Sequence, residues 1–154
     1  MPTHTEKREM PYSADQLYDL VADIKSYPEF LPWVSAARIR KITETETGKV
    51  IDAELVVSFK VFREKFGSRV TLNEQTREID VEYLDGPFKY LNNHWRFIAL
   101  GEQRCAVDFF VDFEFRSRAL QALIGVVFNE AMQRIVRAFE ARAAALYGPG
   151  GARR

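Results

Sequence analysis

Residues 105–115 read CAVDFFVDFEF, and the residues that follow change rhythm, so this one junction decides the fold. Cys105, Val107, Phe109, Val111, Phe113 and Phe115 alternate with Asp108, Asp112 and Glu114. A period of two describes a strand with one covered and one wet face. From Leu120 onward the apolar positions fall at three- and four-residue spacing instead: Leu120, Ile124, Val127, Phe128, Ala131, Ile135, Ala138, Phe139 and Leu146. That spacing predicts a long amphipathic helix, stopped by Gly148 and Pro149.

Upstream of this junction the two-residue period recurs. Ile51, Ala53, Leu55, Val57, Phe59 and Val61 share one side, against Asp52, Glu54, Ser58 and Lys60, with Val56 the only break. Ile79, Val81 and Tyr83 alternate with Glu78, Asp80 and Glu82, and Trp95 and Phe97 share another inward face. Strands are expected near 5–10, 35–44, 49–60, 62–73, 78–84, 92–100 and 104–115. Between the first two, Ser13 and Gln16 form a capping box and Tyr12 and Leu17 a hydrophobic staple. Leu17, Leu20, Val21 and Ile24 mark the buried face of that helix, and Pro28 is expected to stop it by disfavouring helical geometry at Tyr27. The stretch YPEFLPW, 27–33, follows as an aromatic turn.

The fold class is therefore α+β. A curved antiparallel sheet of about seven strands wraps a long C-terminal helix, with short helices after the first strand. One domain spans 1–147, and 148–154 is expected to be a flexible tail. A curved sheet that grips one helix leaves space between them, and function is sought there.

Composition narrows the function classes. Lys plus Arg and Asp plus Glu are 22 each, so the formal net charge is zero, which argues against DNA binding. From Arg116 onward seven arginines face only Glu130 and Glu140, a local charge of +5 against −5 in the remainder. Such a segment can touch anionic lipid headgroups, contact RNA, or complement an acidic sheet. The single cysteine, Cys105, implies no disulfide framework. The first eight residues lack an apolar core for a signal peptide, and 123–128 is too short to span a bilayer, so a cytoplasmic protein is expected, with any membrane contact peripheral.

Catalytic chemistry finds little support. His4 sits in the N-terminal arm, His94 points opposite to Trp95, and no metal-ligand spacing exists. The paired acids Asp52 with Glu54, Asp80 with Glu82 and Asp108 with Asp112 fall on the outward face, where Arg63, Lys65 and Arg69 also lie. Glu64 is different, lying between the inward Phe62 and Phe66. It is either a buried acid–base group or a strand-end carboxylate that reaches solvent or an arginine. Gly125 weakens the long helix by about 1 kcal/mol relative to alanine. It either lets the helix approach the sheet or lets it shift to admit a ligand.

Several motifs together resemble a known family. Tyr27-Pro28-Glu29-Phe30-Leu31-Pro32-Trp33, Phe62-Arg63-Glu64, Ser68-Arg69-Val70, Gly86-Pro87-Phe88-Lys89 and Asn93-His94-Trp95-Arg96-Phe97 are similar to the coenzyme Q-binding START-like family. Bacterial members carry the label of RatA-type ribosome-association toxins. The resemblance runs from about Thr5 to Tyr147. Val34 stands where the family often has a cysteine, which removes any thiol from that position. The resemblance implies a helix-grip fold with a hydrophobic tunnel for a polyisoprenoid quinone, ubiquinone, held as a carried ligand and not as a cofactor. It implies a non-enzymatic carrier or chaperone in respiration, with binding to the large ribosomal subunit as the alternative.

Alternation and helical spacing then select the expected ligand-binding residues. The sheet contributes Val57, Phe59, Phe66, Val70, Tyr83, Trp95, Phe97, Val107 and Phe109. The helix contributes Leu123, Val127, Phe128 and Ile135, so Val127→Trp is expected to fill the tunnel. Trp33 and Phe88 are placed at the rim, where they would also meet an anionic membrane surface.

Overall fold

The computed structural model describes residues 3–59 and 62–148. Lys60, Val61 and the expected tail beyond Gly148 lie outside these. The alternating stretches become seven strands: β1 (Thr3–Met10), β2 (Val34–Glu44), β3 (Gly48–Phe59), β4 (Phe62–Asn73), β5 (Glu78–Asp85), β6 (Phe88–Gly101) and β7 (Arg104–Phe115). They form one antiparallel sheet in the order β1-β7-β6-β5-β4-β3-β2. Hairpins join β2 through β7, and β1 returns to pair with β7, Thr3 opposite Asp112 and Met10 opposite Cys105.

Register shifts curve the sheet. They fall between Val34 and Ala36, Ile39 and Lys41, Gly67 and Ser68, Phe88 and Tyr90, and Ala99 and Gly101. Each lets extra residues on one strand oppose fewer on the next, which bends the ladder. The shift at Phe88 hides the start of β6 from an alternation test, and so the strand begins four residues before the expected 92. At the preceding turn Gly86 has φ +136°, and a Cβ there would lie 2.4 Å from that of Phe66. Only glycine fits.

α1 (Ala14–Ala22) is capped as its sequence predicts: Ser13 Oγ accepts from Gln16 N–H, and Gln16 Oε1 accepts from Ser13 N–H. Its end departs from expectation. The helix closes at Asp23, whose φ, ψ of −85°, 71° leave helical space, and a 3-10 turn follows at Ile24–Ser26. Pro28 does not stop a helix. It sits in the first turn of the short α2 (Tyr27–Phe30), where its missing N–H has no partner to lose.

α3 (Arg118–Tyr147) is capped by Ser117 and crosses the concave face. It comes nearest β7, α1 and α2 and stands off the middle of the sheet. Two buried clusters flank the space thus left. One gathers Leu17, Leu20, Ile79, Phe97 and Ala143; the other gathers Phe66, Phe88, Phe109, Phe113 and Met132.

A candidate apolar binding cavity

The space under α3 is a cavity of about 300 Å³. β3 supplies Leu55, Val57 and Phe59, and β4 supplies Phe62, Glu64, Phe66, Ser68 and Val70, each set from one face of its pleat. Leu55, Val57 and Phe59 stay only half-buried because they face this space instead of packed atoms. From above, α3 contributes Leu120, Ile124, Ala131, Met132, Ile135 and Phe139.

Polar groups in the lining are few. Asn93 is committed within the protein: its Oδ1 accepts from Trp95 Nε1–H at 3.1 Å and its Nδ2–H donates to Phe110 O at 2.9 Å. Ser68 is only 4% exposed. Glu64, opposite Val57 in the ladder, is half-buried on the wall. Among the described residues its side chain has no hydrogen-bond or ion-pair partner, so of the alternatives open to it the arginine contact is not made. Tyr27, also in the lining, donates its hydroxyl to Val21 O, so the cavity surrounds an apolar body and offers the Glu64 carboxylate and the Ser68 hydroxyl.

The expected outward pairing is met in part: Arg69 takes Asp52 and Lys65 stands 3.8 Å from Glu54, while among the described residues Arg40 and His94, not Arg63, serve other outward acids. Arg69 donates to Asp52 at 2.8 and 3.1 Å, Arg40 bridges Glu54 and Asp85, and exposed His94 meets Asp80. These guanidinium hydrogen bonds hold the Asp52, Glu54 and Asp85 carboxyls below their ordinary range.

Nine of the residues expected from the sequence border this cavity: Trp33, Val57, Phe59, Phe66, Val70, Phe88, Trp95, Phe109 and Ile135. Phe88 is no rim residue. It is 7% exposed, and its ring meets Phe66, Tyr83, Phe113 and Phe115. Trp33 has φ +68°, a conformation disfavoured for a bulky side chain, and its ring stands edge-on to Phe59 at 5.6 Å.

Four expected residues lie off the wall. Tyr83 packs on Phe88 at 5.5 Å, and its hydroxyl accepts the Phe88 N–H. Phe128 turns toward the β1 edge, against Phe113 and His4. Leu123 and Val127 are half-buried elsewhere on α3 and do not line this cavity. Val127→Trp therefore does not fill the space; Ile124 is the position that does. Sequence alone shows a broad apolar stripe on α3 but not which edge of it meets the sheet. Gly125 is exposed with nothing within 4 Å of its would-be Cβ, so close approach to the sheet does not explain it.

Phe97 and Val107 line a second, smaller cavity of about 60 Å³ beneath the other half of α3. Glu6, Arg8 and Glu140 stand at its edge. His4 is not in a free arm but in β1, its side chain 14% exposed and its Nε2 2.9 Å from Glu6. Arg8 donates to Glu6 at 2.7 Å and also to Glu140. Burial alone would raise the Glu6 carboxyl, but the hydrogen bonds with His4 and Arg8 outweigh it and hold the group below its ordinary range.

Comparison with known proteins gives concordant results. The family model for polyketide cyclase / dehydrase and lipid transport matches residues 10–140. A ribosome association toxin RatA of Rickettsia prowazekii is 41% identical over 140 residues, covering 87% of this chain and 90% of that protein. Coenzyme Q-binding protein COQ10 homolog B, mitochondrial, of Xenopus laevis is 32% identical over 149 residues, covering 94% of this chain and 59% of that one. The solution structure of an 18 kDa protein from Caulobacter crescentus is 39% identical with a TM-score of 0.79, covering 97% of this chain and all of that one. No helix among the described residues is long and apolar enough to cross a membrane.

Proposed function

This chain belongs to the START-like polyketide cyclase / dehydrase and lipid transport family, and on that premise we propose that it binds a polyisoprenoid quinone, ubiquinone, without converting it. It acts as a carrier or chaperone for respiratory electron transport. The observation that carries this reading is the cavity of about 300 Å³, walled almost wholly by aliphatic and aromatic side chains. Transfer of a prenyl chain from water into such a space is worth about 0.8 kcal/mol per CH₂. Ser68 and Glu64 are the groups left to orient a polar head, since Asn93 is occupied with Trp95 and Phe110. Their isolation supports binding over catalysis: among the described residues no side chain hydrogen-bonds or ion-pairs with Glu64.

Titration with a short-tailed ubiquinone analogue, followed by thermal unfolding, tests the reading. Ligand at a hundred times its Kd stabilises the folded state by about 2.7 kcal/mol. Ile124→Trp, which fills the cavity, should abolish the shift. An unchanged melting temperature in the wild type over the analogue's solubility range overturns the reading.

A second reading has its own support in the relatives named RatA, 41% identical in one case. On that reading the chain associates with ribosomes, and exposed Arg118 and Arg137 on α3 meet RNA phosphates. Co-sedimentation with large ribosomal subunits, weakening as salt rises, is the expected result. Its absence across low and moderate salt counts against this reading. A peripheral contact with anionic membranes, also proposed, gives salt-sensitive binding to anionic liposomes.

A further inference from the structure

The two cavities under α3 share four wall residues: Trp95, Phe109, Ile135 and Phe139. Whatever separates the larger space from the smaller is built from these side chains. Trp95 is pinned, because its indole N–H donates to Asn93, which is itself held by Phe110. It leans on Phe109 at 4.5 Å and on Phe97 at 6.0 Å. Phe139 has no such tether. Its ring meets Trp95 edge to face at 5.3 Å and is otherwise held by the rings of Tyr27 and Phe30, at 5.9 and 5.4 Å.

Volume makes this division matter. An engineered cavity of about 150 Å³ admits benzene, so 300 Å³ accommodates roughly a dozen heavy atoms and 60 Å³ about two more. A long apolar chain exceeds the first compartment and must turn out to solvent or pass into the second. The smaller compartment is apolar along Leu20, Phe97 and Val107, and the Glu6, Arg8 and Glu140 cluster stands at its edge. It suits the methyl end of a chain, not a polar head.

We propose that the smaller cavity is a second compartment for the far end of an amphiphile's apolar chain. Phe139 is the partition that sets the longest chain bound. The proposal rests on the apolar-ligand reading above and adds chain-length selection to it.

The test uses 1-alkanols of six to eighteen carbons as probes, with thermal unfolding of the full chain as the readout. In the wild type the melting temperature rises with chain length up to a limiting length. Phe139→Ala should extend that limit by at least about two carbons, the content of the smaller cavity. Val107→Phe, which fills only the smaller cavity, should cancel the extension in the double variant. Phe139→Leu, a milder change, should move the limit in the same direction and serves if Phe139→Ala does not fold. The same limit in wild type and both Phe139 variants overturns the partition. An extension that survives Val107→Phe also overturns it, because the gain then comes from the missing ring alone. If no alkanol of any length stabilises the wild type, the apolar-ligand reading fails and the proposal falls with it.

Discussion

Arg8 on the first strand donates a hydrogen bond to Glu140 on the last helix, joining positions 132 apart in the chain. The same guanidinium donates to Glu6 at 2.7 Å, so one cation serves two carboxylates where α3 crosses the β1 edge. Gln121, Arg142 and Tyr147 tie α3 to β7, α2 and α1, and the Arg8–Glu140 pair adds a tie at the edge of the smaller cavity.

Arg8→Met should destabilise the protein by about 1–2 kcal/mol at pH 7, since it leaves the Glu6 carboxylate with His4 as its remaining partner and takes the cation from between Glu6 and Glu140. Urea denaturation checks the value. The pH dependence has a definite sign. Glu6 is held below its ordinary range in the folded state, so its contribution is present above the unfolded value of about 4.3 and is lost as pH falls through the lower folded value. The stability gap between wild type and Glu6→Gln should therefore shrink as the pH drops below about 4. A gap that stays constant from pH 7 to 3 contradicts the assignment.

Gly125→Ala should stabilise the fold by about 1 kcal/mol, because the methyl group meets open space and alanine favours the helix. If bending at Gly125 admits ligand, the same variant slows uptake of a quinone analogue in stopped-flow mixing without weakening equilibrium binding. Equal uptake rates assign Gly125 no part in admission.

Tyr18 presents a different opportunity. Its hydroxyl is buried without a hydrogen-bond partner among the described residues, and burial pushes its pKa up to about 12. Tyr18→Phe removes an unsatisfied polar atom while keeping the edge-to-face contact with Phe97. The melting temperature should rise, by an amount equivalent to about 1 kcal/mol. A clear fall would reveal a partner for the hydroxyl.

Cys105 is fully buried, and desolvation pushes its thiol up to about 11. Thiolate is the reactive form, so a disulfide reagent at pH 8 should modify Cys105 only as fast as the protein unfolds. Fast labelling of the folded protein would mean that the β1–β7 edge opens readily.

The sheet and its helix were legible because both follow simple periods. Cys105–Phe115 is apolar at every odd position, Leu120–Phe139 holds to helical spacing, and the Ser13–Gln16 capping box has one structural meaning. What escaped depends on tertiary context. A strand was expected at 5–10, and β1 begins two residues earlier at Thr3, because the polar His4, Glu6 and Arg8 on its inward side blur the alternation at that end. The register shift at Phe88–Tyr90 does the same for the start of β6. Pro28 reads as a stop when the helix before it is taken as continuous, but Asp23 has already ended that helix. On α3, Val127 and Ile124 belong to one broad stripe, and only the docking angle of the helix chooses Ile124, Met132 and Phe139 for the cavity. Glu64 was visible as an acid at an inward position, but its isolation was not, because that depends on which side chains surround it.

The most direct test of a quinone-binding cavity is solvent extraction of the protein purified from a quinone-producing host, with mass spectrometry of the extract. The account predicts ubiquinone near one equivalent in the wild type and in Val127→Trp, and little or none in Ile124→Trp. An extract free of quinone and of any other lipid, from protein that also gains no stability on adding quinone, would contradict it.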